Sequence, residues 1–257
     1  MTHGMFGWVD VSVRDLETGE AFYTGLFGWE AERMVSPDGA SDYVMFRNNG
    51  KMAAGMVLLS HGSRRGATDV ELVRSRRRRG TDRDPGRRAG CDRARPADGH
   101  HGCRKDDVHP GSPGAALGFW QPGTHRGAEG YNETGFFTWN ELTTRDVAGS
   151  KEFYAALMPE WSMHEREFDG GFVYTTIKLG DRENAGVMEM GKGFPPEVLT
   201  NWGVYFVVDD AYAGAVRVEE LGGTVIREVI ESSFGPIAPV ADPDGAVFMI
   251  IGPMSAA

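Results

Sequence analysis

One stretch of this chain occurs twice, and it decides the fold. Residues 6–26 read FGWVDVSVRDLETGEAFYTGL, and residues 137–157 read FTWNELTTRDVAGSKEFYAAL. The two copies stand 131 positions apart, and the same offset aligns further pairs: Tyr43 with Tyr174, Ala54-Gly55 with Ala185-Gly186, and Gly114-Ala115 with Gly245-Ala246. A repeat at one fixed offset is the signature of a chain built from similar modules. We therefore predict a first module over residues 1–121, a linker over 122–135 and a second module over 136–257.

Composition restricts the class of protein. The chain has 257 residues, of which 40% are hydrophobic, and this is enough for two domains that each bury a core. No run approaches the roughly 20 apolar residues of a membrane span, so we expect a cytoplasmic protein without a membrane partner. A net charge of −10 argues against a nucleic-acid partner.

Residues 62–112 depart from this composition. They hold 14 of the 27 basic residues, both cysteines, and no Phe, Trp, Tyr, Ile or Met. A basic arm that binds nucleic acid and a disordered insertion are two interpretations. The third is a shifted reading frame, because the segment keeps the length of its counterpart 193–243 but has lost its pattern. In GC-rich codons Val-Asp-Asp is GTC GAC GAC, and the same bases read two positions later encode Arg-Arg. Arginines do occupy residues 77–79, which lie opposite the Val-Asp-Asp of residues 208–210.

We favour the frame shift and expect residues 62–112 to be disordered. Resequencing the DNA, or the intact mass of the natural protein, tests this hypothesis directly. His100, His101 and Cys103 do not have the spacing of a paired zinc site.

The second copy has the clearer pattern of secondary structure. Alternating residues predict strands over 136–144, 172–179, 185–190, 202–208, 224–230 and 246–251. Asp146 and Asp210 stand where an N-cap belongs, and they predict helices after residue 146 and over 210–221. The sequence therefore predicts an α+β fold, in which strand, helix and further strands recur.

These motifs, in this order, resemble the vicinal-oxygen-chelate superfamily of glyoxalases, extradiol dioxygenases and bleomycin-resistance proteins. The linker from Phe119-Trp120-Gln121-Pro122-Gly123 to Trp139-Asn140-Glu141-Leu142 looks like that of its tandem two-module branch. The resemblance implies two modules of paired βαβββ units, each a half-open curled mixed sheet with helices outside.

The resemblance also implies metal ligands at set positions, and this chain has none there. The positions that match the family's ligands carry Trp8, Trp139, Gly203, Gly118 and Met249. An indole nitrogen is only a hydrogen-bond donor, and a divalent metal prefers imidazole or carboxylate. We therefore expect no metal and no other cofactor.

A different pattern stands in place of the ligands. On the first strand Trp8 and Asp10 share one face, and Trp139 and Glu141 repeat this arrangement. Indoles and carboxylates on a concave face suit a flat aromatic ligand with hydroxyl groups. The predicted ligand-binding residues are Trp8, Asp10, Trp139, Glu141, Tyr205 and Met249. A purely structural role for the two tryptophans in closing the sheet is the alternative.

Three functions are open on these grounds. The chain looks like the accessory proteins of anthracycline (daunorubicin-type) biosynthesis, and this resemblance implies an aromatic ligand and joint action with a cytochrome P450 hydroxylase. A metal-dependent glyoxalase or dioxygenase is the second function, and a resistance protein that sequesters a drug is the third. The sequence leaves catalysis open, with Asp10 or Glu141 as the general base, and a homodimer is compatible with it.

Overall fold

A computed structural model describes residues 3–34, 43–59, 68–73, 100–101, 114–120, 125–168 and 170–254, with only the backbone at 68–73, 100–101 and 120. The predicted α+β class is confirmed. The helices of this part are α1 (Leu16–Phe27), α2 (Val147–Leu157) and α3 (Ala211–Glu220). The strands are β1 (Phe6–Val13), β2 (Glu30–Met34), β3 (Tyr43–Asn48), β4 (Lys51–Leu58), β5 (Thr68–Val73), β6 (His100–His101), β7 (Gly118–Trp120), β8 (Phe137–Thr144), β9 (Trp161–Phe168), β10 (Phe172–Leu179), β11 (Arg182–Glu189), β12 (Asn201–Val207), β13 (Thr224–Val225), β14 (Ile237–Ala241) and β15 (Val247–Ile251). No helix of the described residues is long and apolar enough to cross a membrane.

One βαβββ unit recurs along the chain. In the first quarter β1 and α1 are followed by β2, β3 and β4, which pair antiparallel in sequence. Strand β4 also pairs parallel with β1, so the order in the sheet is β2-β3-β4-β1. The order β9-β10-β11-β8 repeats this arrangement around α2, and the order β13-β14-β15-β12 repeats it around α3. The described strands of the remaining quarter fit the same scheme, because β7 pairs parallel with β5 and antiparallel with β6. The mixed, open sheets that the sequence predicts are confirmed.

Helices α2 and α3 begin directly after the predicted N-cap residues Asp146 and Asp210, and α1 begins in the same way after Asp15. The Asp15 carboxylate accepts a hydrogen bond from the Thr18 amide at 2.7 Å, and Asp146 accepts one from the Gly149 amide at 2.8 Å. Asp210 caps α3 in the same way through two amides. These bonds satisfy amides that have no partner inside the helix, which is why each helix starts one residue after its aspartate.

Several predicted strand bounds are wrong. The strand predicted over 224–230 ends at Val225, and the strand predicted from residue 185 already begins at Arg182. Two further strands, β9 and β14, were not predicted. Most side chains of β9 are exposed and polar, and β14 contains Pro239, which lacks the amide hydrogen that a central strand needs.

The chain forms two compact units whose limits differ from the predicted modules. The terminal unit contains the first and last quarters of the chain, Trp8–Asp69, Gly127–Thr138 and Gly203–Ala257. The central unit contains Met1–Gly7, Val70–Arg126 and Trp139–Trp202. Each unit therefore joins βαβββ quarters from both copies of the repeat.

Long-range contacts hold the terminal unit together. The Tyr23 hydroxyl on α1 donates to the buried Asp242 carboxylate at 3.0 Å, 219 positions along the chain. The Arg217 guanidinium on α3 donates to the carbonyl of Gly25 on α1. The first and last quarters thus share one core, in which Phe22 meets Phe248 edge to face.

A tryptophan in each unit holds the glycine that precedes the other copy's first strand. In the terminal unit Trp29 Nε1 donates to the Gly135 carbonyl at 2.8 Å. In the central unit Trp161 Nε1 donates to the Gly4 carbonyl, also at 2.8 Å. Gly4 and Gly135 both have φ near +80°, which side-chain-bearing residues rarely adopt. These paired bonds hold Gly4 in the central unit and Gly135 in the terminal unit.

The frame-shift prediction for residues 62–112 falls almost entirely outside the described residues. Of that segment the structure describes β5 and β6, so the prediction stands as a hypothesis about the DNA.

Candidate ligand site

The strands β1 and β8 each carry a tryptophan and a carboxylate on one face and different side chains on the other. On β1 the alternation turns Val9, Val11 and Val13 towards the core, and all three are buried. The position of Gly19 on α1 shows which side this is, because a Cβ there would lie 3.2 Å from Val13. Trp8 and Asp10 therefore lie on the face away from the helix.

In the terminal unit Trp8 and Asp10 form a hydrogen-bonded triad with Tyr43 of β3. The Trp8 indole N–H is 2.9 Å from Asp10 Oδ1 and 3.2 Å from the Tyr43 hydroxyl oxygen. The Tyr43 hydroxyl donates to the same Oδ1 at 2.8 Å. Trp8 has no exposed surface, whereas Asp10 and Tyr43 are half-buried. The indole thus orients a carboxylate and a phenol that are both accessible.

The central unit repeats this triad with Trp139, Glu141 and Tyr174. The Trp139 indole N–H donates to the Tyr174 hydroxyl oxygen at 2.8 Å, and that hydroxyl donates to Glu141 Oε2 at 2.7 Å. Here the indole is half-buried and the carboxylate is buried, with 5% of Glu141 exposed. In both triads the phenol donates to the carboxylate, whereas the indole donates to Asp10 and Tyr43 in the terminal unit and to Tyr174 in the central unit.

A glycine on the neighbouring strand makes room for each triad. Gly55 lies opposite Asp10 in the parallel pair of β1 and β4, and Gly186 lies opposite Glu141 in the pair of β8 and β11. A Cβ on Gly55 would overlap the Tyr43 hydroxyl and Asp10 Oδ1, and a Cβ on Gly186 would overlap the Tyr174 hydroxyl. The close approach of phenol and carboxylate therefore requires glycine at both positions.

The six predicted ligand-binding residues fall into two groups. Trp8, Asp10, Tyr205 and Met249 belong to the terminal unit, in which Tyr205 and Met249 are direct partners across β12 and β15 and are half-buried. Trp139 and Glu141 belong to the central unit. The role of these residues in binding is a prediction that the fold alone does not test.

An aromatic edge continues from the central triad along the hairpin of β9 and β10. The Phe172 ring lies 6.2 Å from that of Tyr174 and 6.1 Å from that of Phe168. Phe172 is 43% exposed, and the Arg166 guanidinium lies 4.7 Å from the centre of the Phe168 ring. This edge offers aromatic surface to a ligand beside the triad.

The residues at the family's ligand positions do not fit a divalent metal. Trp8 and Trp139 offer an N–H that is already donated within the triads, and Met249 offers only a thioether. Each triad contributes a single carboxylate. Within the described part of the chain no three His, Cys, Asp or Glu side chains lie close enough to hold an ion.

A second tyrosine–carboxylate pair lies in the core of the terminal unit and differs from the triads. Burial raises the pKa of Asp242, while bonds from the Ala246 amide and the Tyr23 hydroxyl act in the opposite direction. The pKa of Tyr23 is raised well above its ordinary value, first by burial and then by the Asp242 charge. This pair is enclosed by core residues and serves stability.

The sequence did not point to the two tyrosines of the triads, Tyr43 and Tyr174, or to the glycines that make room for them, Gly55 and Gly186. A signal for them was present, because the offset of 131 aligns Tyr43 with Tyr174 and Gly55 with Gly186. Their function depends on pairing between strands more than 30 positions apart, and the repeat alone does not reveal that pairing.

No family model matches the chain, but individual known proteins are similar to it over nearly its whole length. It is 33% identical to the protein named "Putative glyoxylase CFP32" of Mycobacterium tuberculosis (strain CDC 1551 / Oshkosh), over 97% of this chain and 95% of that protein. It is 29% identical to "Anthracycline biosynthesis protein DnrV" of Streptomyces peucetius, over 96% of this chain and 93% of the relative.

Among solved structures, the Mn(II)-bound glyoxalase from Novosphingobium aromaticivorans superposes with a TM-score of 0.59. The identity is 15%, and the match covers 98% of this chain and 83% of that one. This likeness bears on the fold alone, and it agrees with paired βαβββ modules.

Proposed function

Because the chain belongs to the vicinal-oxygen-chelate superfamily and to the family of CFP32, yet carries no metal ligands at the expected positions, we propose that it binds an aromatic small molecule. We place it as an accessory or tailoring protein in the biosynthesis of an anthracycline or a related aromatic polyketide. The observation that carries the proposal is the indole–phenol–carboxylate triad that stands in both units where the superfamily places its metal. The similarity to DnrV supports the biosynthetic context.

The triads supply the polar part of such a site. In the terminal unit Asp10 and Tyr43 are accessible, and Trp8 holds them in place. Tyr205 and Met249 of the same unit provide half-buried aromatic and thioether surface. Flat ligands bind by stacking and apolar contact, with a few polar groups that fix orientation.

Joint action with a cytochrome P450 hydroxylase is the finer part of the proposal. A protein without a cofactor can hold and orient the ring system that the hydroxylase oxidises. We also propose that the protein acts in the cytoplasm and forms a homodimer.

Binding is tested by titrating the tryptophan fluorescence of the purified protein with an anthracycline. We expect saturable quenching, and weaker binding by at least about tenfold in the Asp10→Asn variant, because a hydrogen bond to a charged group is lost. Glu167→Gln, at an exposed position on β9, is the matched control. Absence of saturable quenching in the parent protein contradicts the proposal.

The accessory role is tested by comparing pathway products with and without the gene. The hydroxylated product should fall when the gene is deleted and recover with the parent gene. Unchanged products together with tight binding would favour a protein that only sequesters a drug.

A metal-dependent glyoxalase or dioxygenase is the second candidate, because CFP32 is named a glyoxylase. Loading the protein with Mn(II) and measuring the bound metal by inductively coupled plasma analysis distinguishes the two. One metal per unit after gel filtration would favour this candidate over a ligand-binding protein without metal.

A further inference from the structure

We propose that the central unit has a subsite for an aromatic acid, in which the Arg166 guanidinium binds the carboxylate and the Phe172 ring packs against the aromatic part. We call Arg166, Phe168 and Phe172 the Arg166 subsite. The inference rests on the proposed binding of an aromatic molecule, and it adds the chemical class of the group that is recognised.

Strand pairing brings the Arg166 subsite to the face of the sheet that carries the central triad. In the antiparallel pair of β9 and β10, Phe168 lies directly opposite Phe172, and Arg166 lies directly opposite Tyr174. Directly opposite residues point to the same face, as do residues two positions apart on one strand. The Tyr174 hydroxyl belongs to the triad, because the Trp139 indole donates to it at 2.8 Å. The arginine and both phenylalanines therefore share the face of the triad.

An aromatic ring, and not an acid, holds the Arg166 guanidinium. It lies 4.7 Å from the centre of the Phe168 ring, and no described carboxylate forms an ion pair with it. Lys151, by contrast, pairs with Glu165 of the same strand at 2.6 Å. The chain has 37 acidic and 27 basic residues, so the missing acidic partner does not reflect a shortage of carboxylates. A guanidinium over a ring keeps the donors in its plane available, and their fork matches the two oxygens of a carboxylate.

The Arg166 subsite is open to a ligand. Arg166 is exposed, and so is 43% of Phe172, whose ring lies 6.1 Å from that of Phe168 and 6.2 Å from that of Tyr174. Strand β9 is at the edge of the sheet, in the order β8-β11-β10-β9. It is therefore three strand spacings of about 4.8 Å away from β8, which carries Glu141. A ligand carboxylate at the edge is thus set apart from the backbone that carries the acid of the triad, while its ring covers the exposed phenylalanine.

The terminal unit has different residues at the corresponding positions. Met34 lies opposite the tyrosine of the terminal triad, in the place that Arg166 occupies in the central unit. The offset of 131 aligns Phe172 with Ser41. A thioether is only a weak acceptor and donates nothing to a carboxylate. We therefore expect the central unit, and not the terminal unit, to select an aromatic acid.

The test uses three probes: 2-naphthoate, its neutral analogue 2-naphthamide, and cyclohexanecarboxylate, which has the charge without the aromatic ring. Dissociation constants are measured by NMR titration of the full-length protein, with the backbone amides of β9 and β10 as reporters. We expect naphthoate to bind at least about tenfold more tightly than either of the others. Only naphthoate can form both the charge-assisted hydrogen bonds and the ring contact.

Variants assign this preference to the Arg166 subsite. Arg166→Met, which copies the terminal unit, should lower the affinity for naphthoate at least about tenfold and that for naphthamide less than about twofold. Phe172→Ser should weaken both naphthalene probes and leave cyclohexanecarboxylate unchanged, because it removes the ring contact alone. Arg227→Gln, at an exposed position of the terminal unit, is the matched control for the loss of one cation. His164→Gln removes a neighbouring basic side chain from the same face and should also leave the preference unchanged.

The outcomes separate this inference from the proposed function. If an anthracycline binds but naphthoate binds no more tightly than naphthamide, or Arg166→Met keeps the parent affinity for naphthoate, the subsite inference is wrong and the binding function stands. If naphthoate binds through Arg166 and no anthracycline binds, the subsite stands and the anthracycline is the wrong ligand. If neither the anthracycline nor any probe binds, both fail.

Discussion

The terminal and central units carry the same triad on one face of the sheet and different chemistry on the other. In the terminal unit Val9 of β1 lies in an apolar cleft with Phe46, Phe206 and Phe248. The equivalent residue of β8, Asn140, has no exposed surface, and among the described residues neither its amide nitrogen nor its amide oxygen has a hydrogen-bond partner. The triads are alike although the cores behind them differ, so core packing does not impose their arrangement.

The first helices differ in the same way. Tyr23 of α1 donates to the Asp242 carboxylate, while the equivalent Tyr154 of α2 accepts from the Trp202 indole at 2.9 Å. Burial raises the pKa of both tyrosines, but a charged partner stands only beside Tyr23. The terminal unit therefore has a charge in its core, and its stability should depend on pH through that charge.

The largest expected change in stability comes from placing the asparagine of position 140 at the equivalent position of the terminal unit, Val9. Val9→Asn places an amide among the aromatic side chains of the terminal unit and should lower the free energy of unfolding by about 3 kcal/mol. Denaturant unfolding measures the change. A loss below about 1 kcal/mol would mean that the cleft supplies polar partners, which would weaken the contrast between the units.

The Tyr23→Phe variant should lower the free energy of unfolding by about 1–3 kcal/mol near neutral pH, because one bond to a buried carboxylate is lost. Burial raises the pKa of Asp242, and the bond from Tyr23 lowers it again. The pKa of Asp242 is therefore higher in the variant than in the parent protein. Ionisation of Asp242 then destabilises the folded state of the variant more than that of the parent protein. The loss is therefore full above the folded pKa and shrinks as the pH falls through it.

Tyr154→Phe is the matched control for that pH dependence. It removes an acceptor from the neutral Trp202 indole and should cost about 1 kcal/mol at both ends of the range. Unfolding measured near pH 7 and near pH 4 separates the two variants. Parallel pH profiles would show that Asp242 is not the source of the dependence.

The reverse core substitution, Asn140→Val, should stabilise the central unit by about 1–2 kcal/mol, because it removes a buried amide that lacks partners. Hydrogen exchange of the β8 amides reports this unit specifically. Slower exchange is expected there, with no change in β1. A destabilised variant would reveal a partner that the amide bonds in solution.

The smallest effect is expected at the triads themselves. Tyr43→Phe and Tyr174→Phe should each change the free energy of unfolding by less than about 1 kcal/mol, since both tyrosines are only half-buried. They should nevertheless weaken ligand binding. Losses of stability as large as that of Tyr23→Phe would assign the triads a structural role instead.

Much of the local structure was predictable from neighbouring residues. Asp146 and Asp210 marked the helix starts because capping involves amides only two or three positions away. The strand β14 was missed because Pro239 is unfavourable by local rules, and only its pairing with β15 accommodates it. Likewise β9 lies at the edge of its sheet, and most of its side chains are polar and exposed. It therefore lacks the alternation of apolar and polar residues from which a strand is predicted.

By itself the sequence determined the repeat, the α+β class and the helix starts, because each depends on residue identity or on neighbours. The tertiary structure alone decided which quarters join into a unit and which side chains meet. Trp8 and Tyr43 are 35 positions apart, and their contact depends on the register of β1, β4 and β3. Strand register is set by the packing of the whole sheet, so local patterns could not reveal the triads.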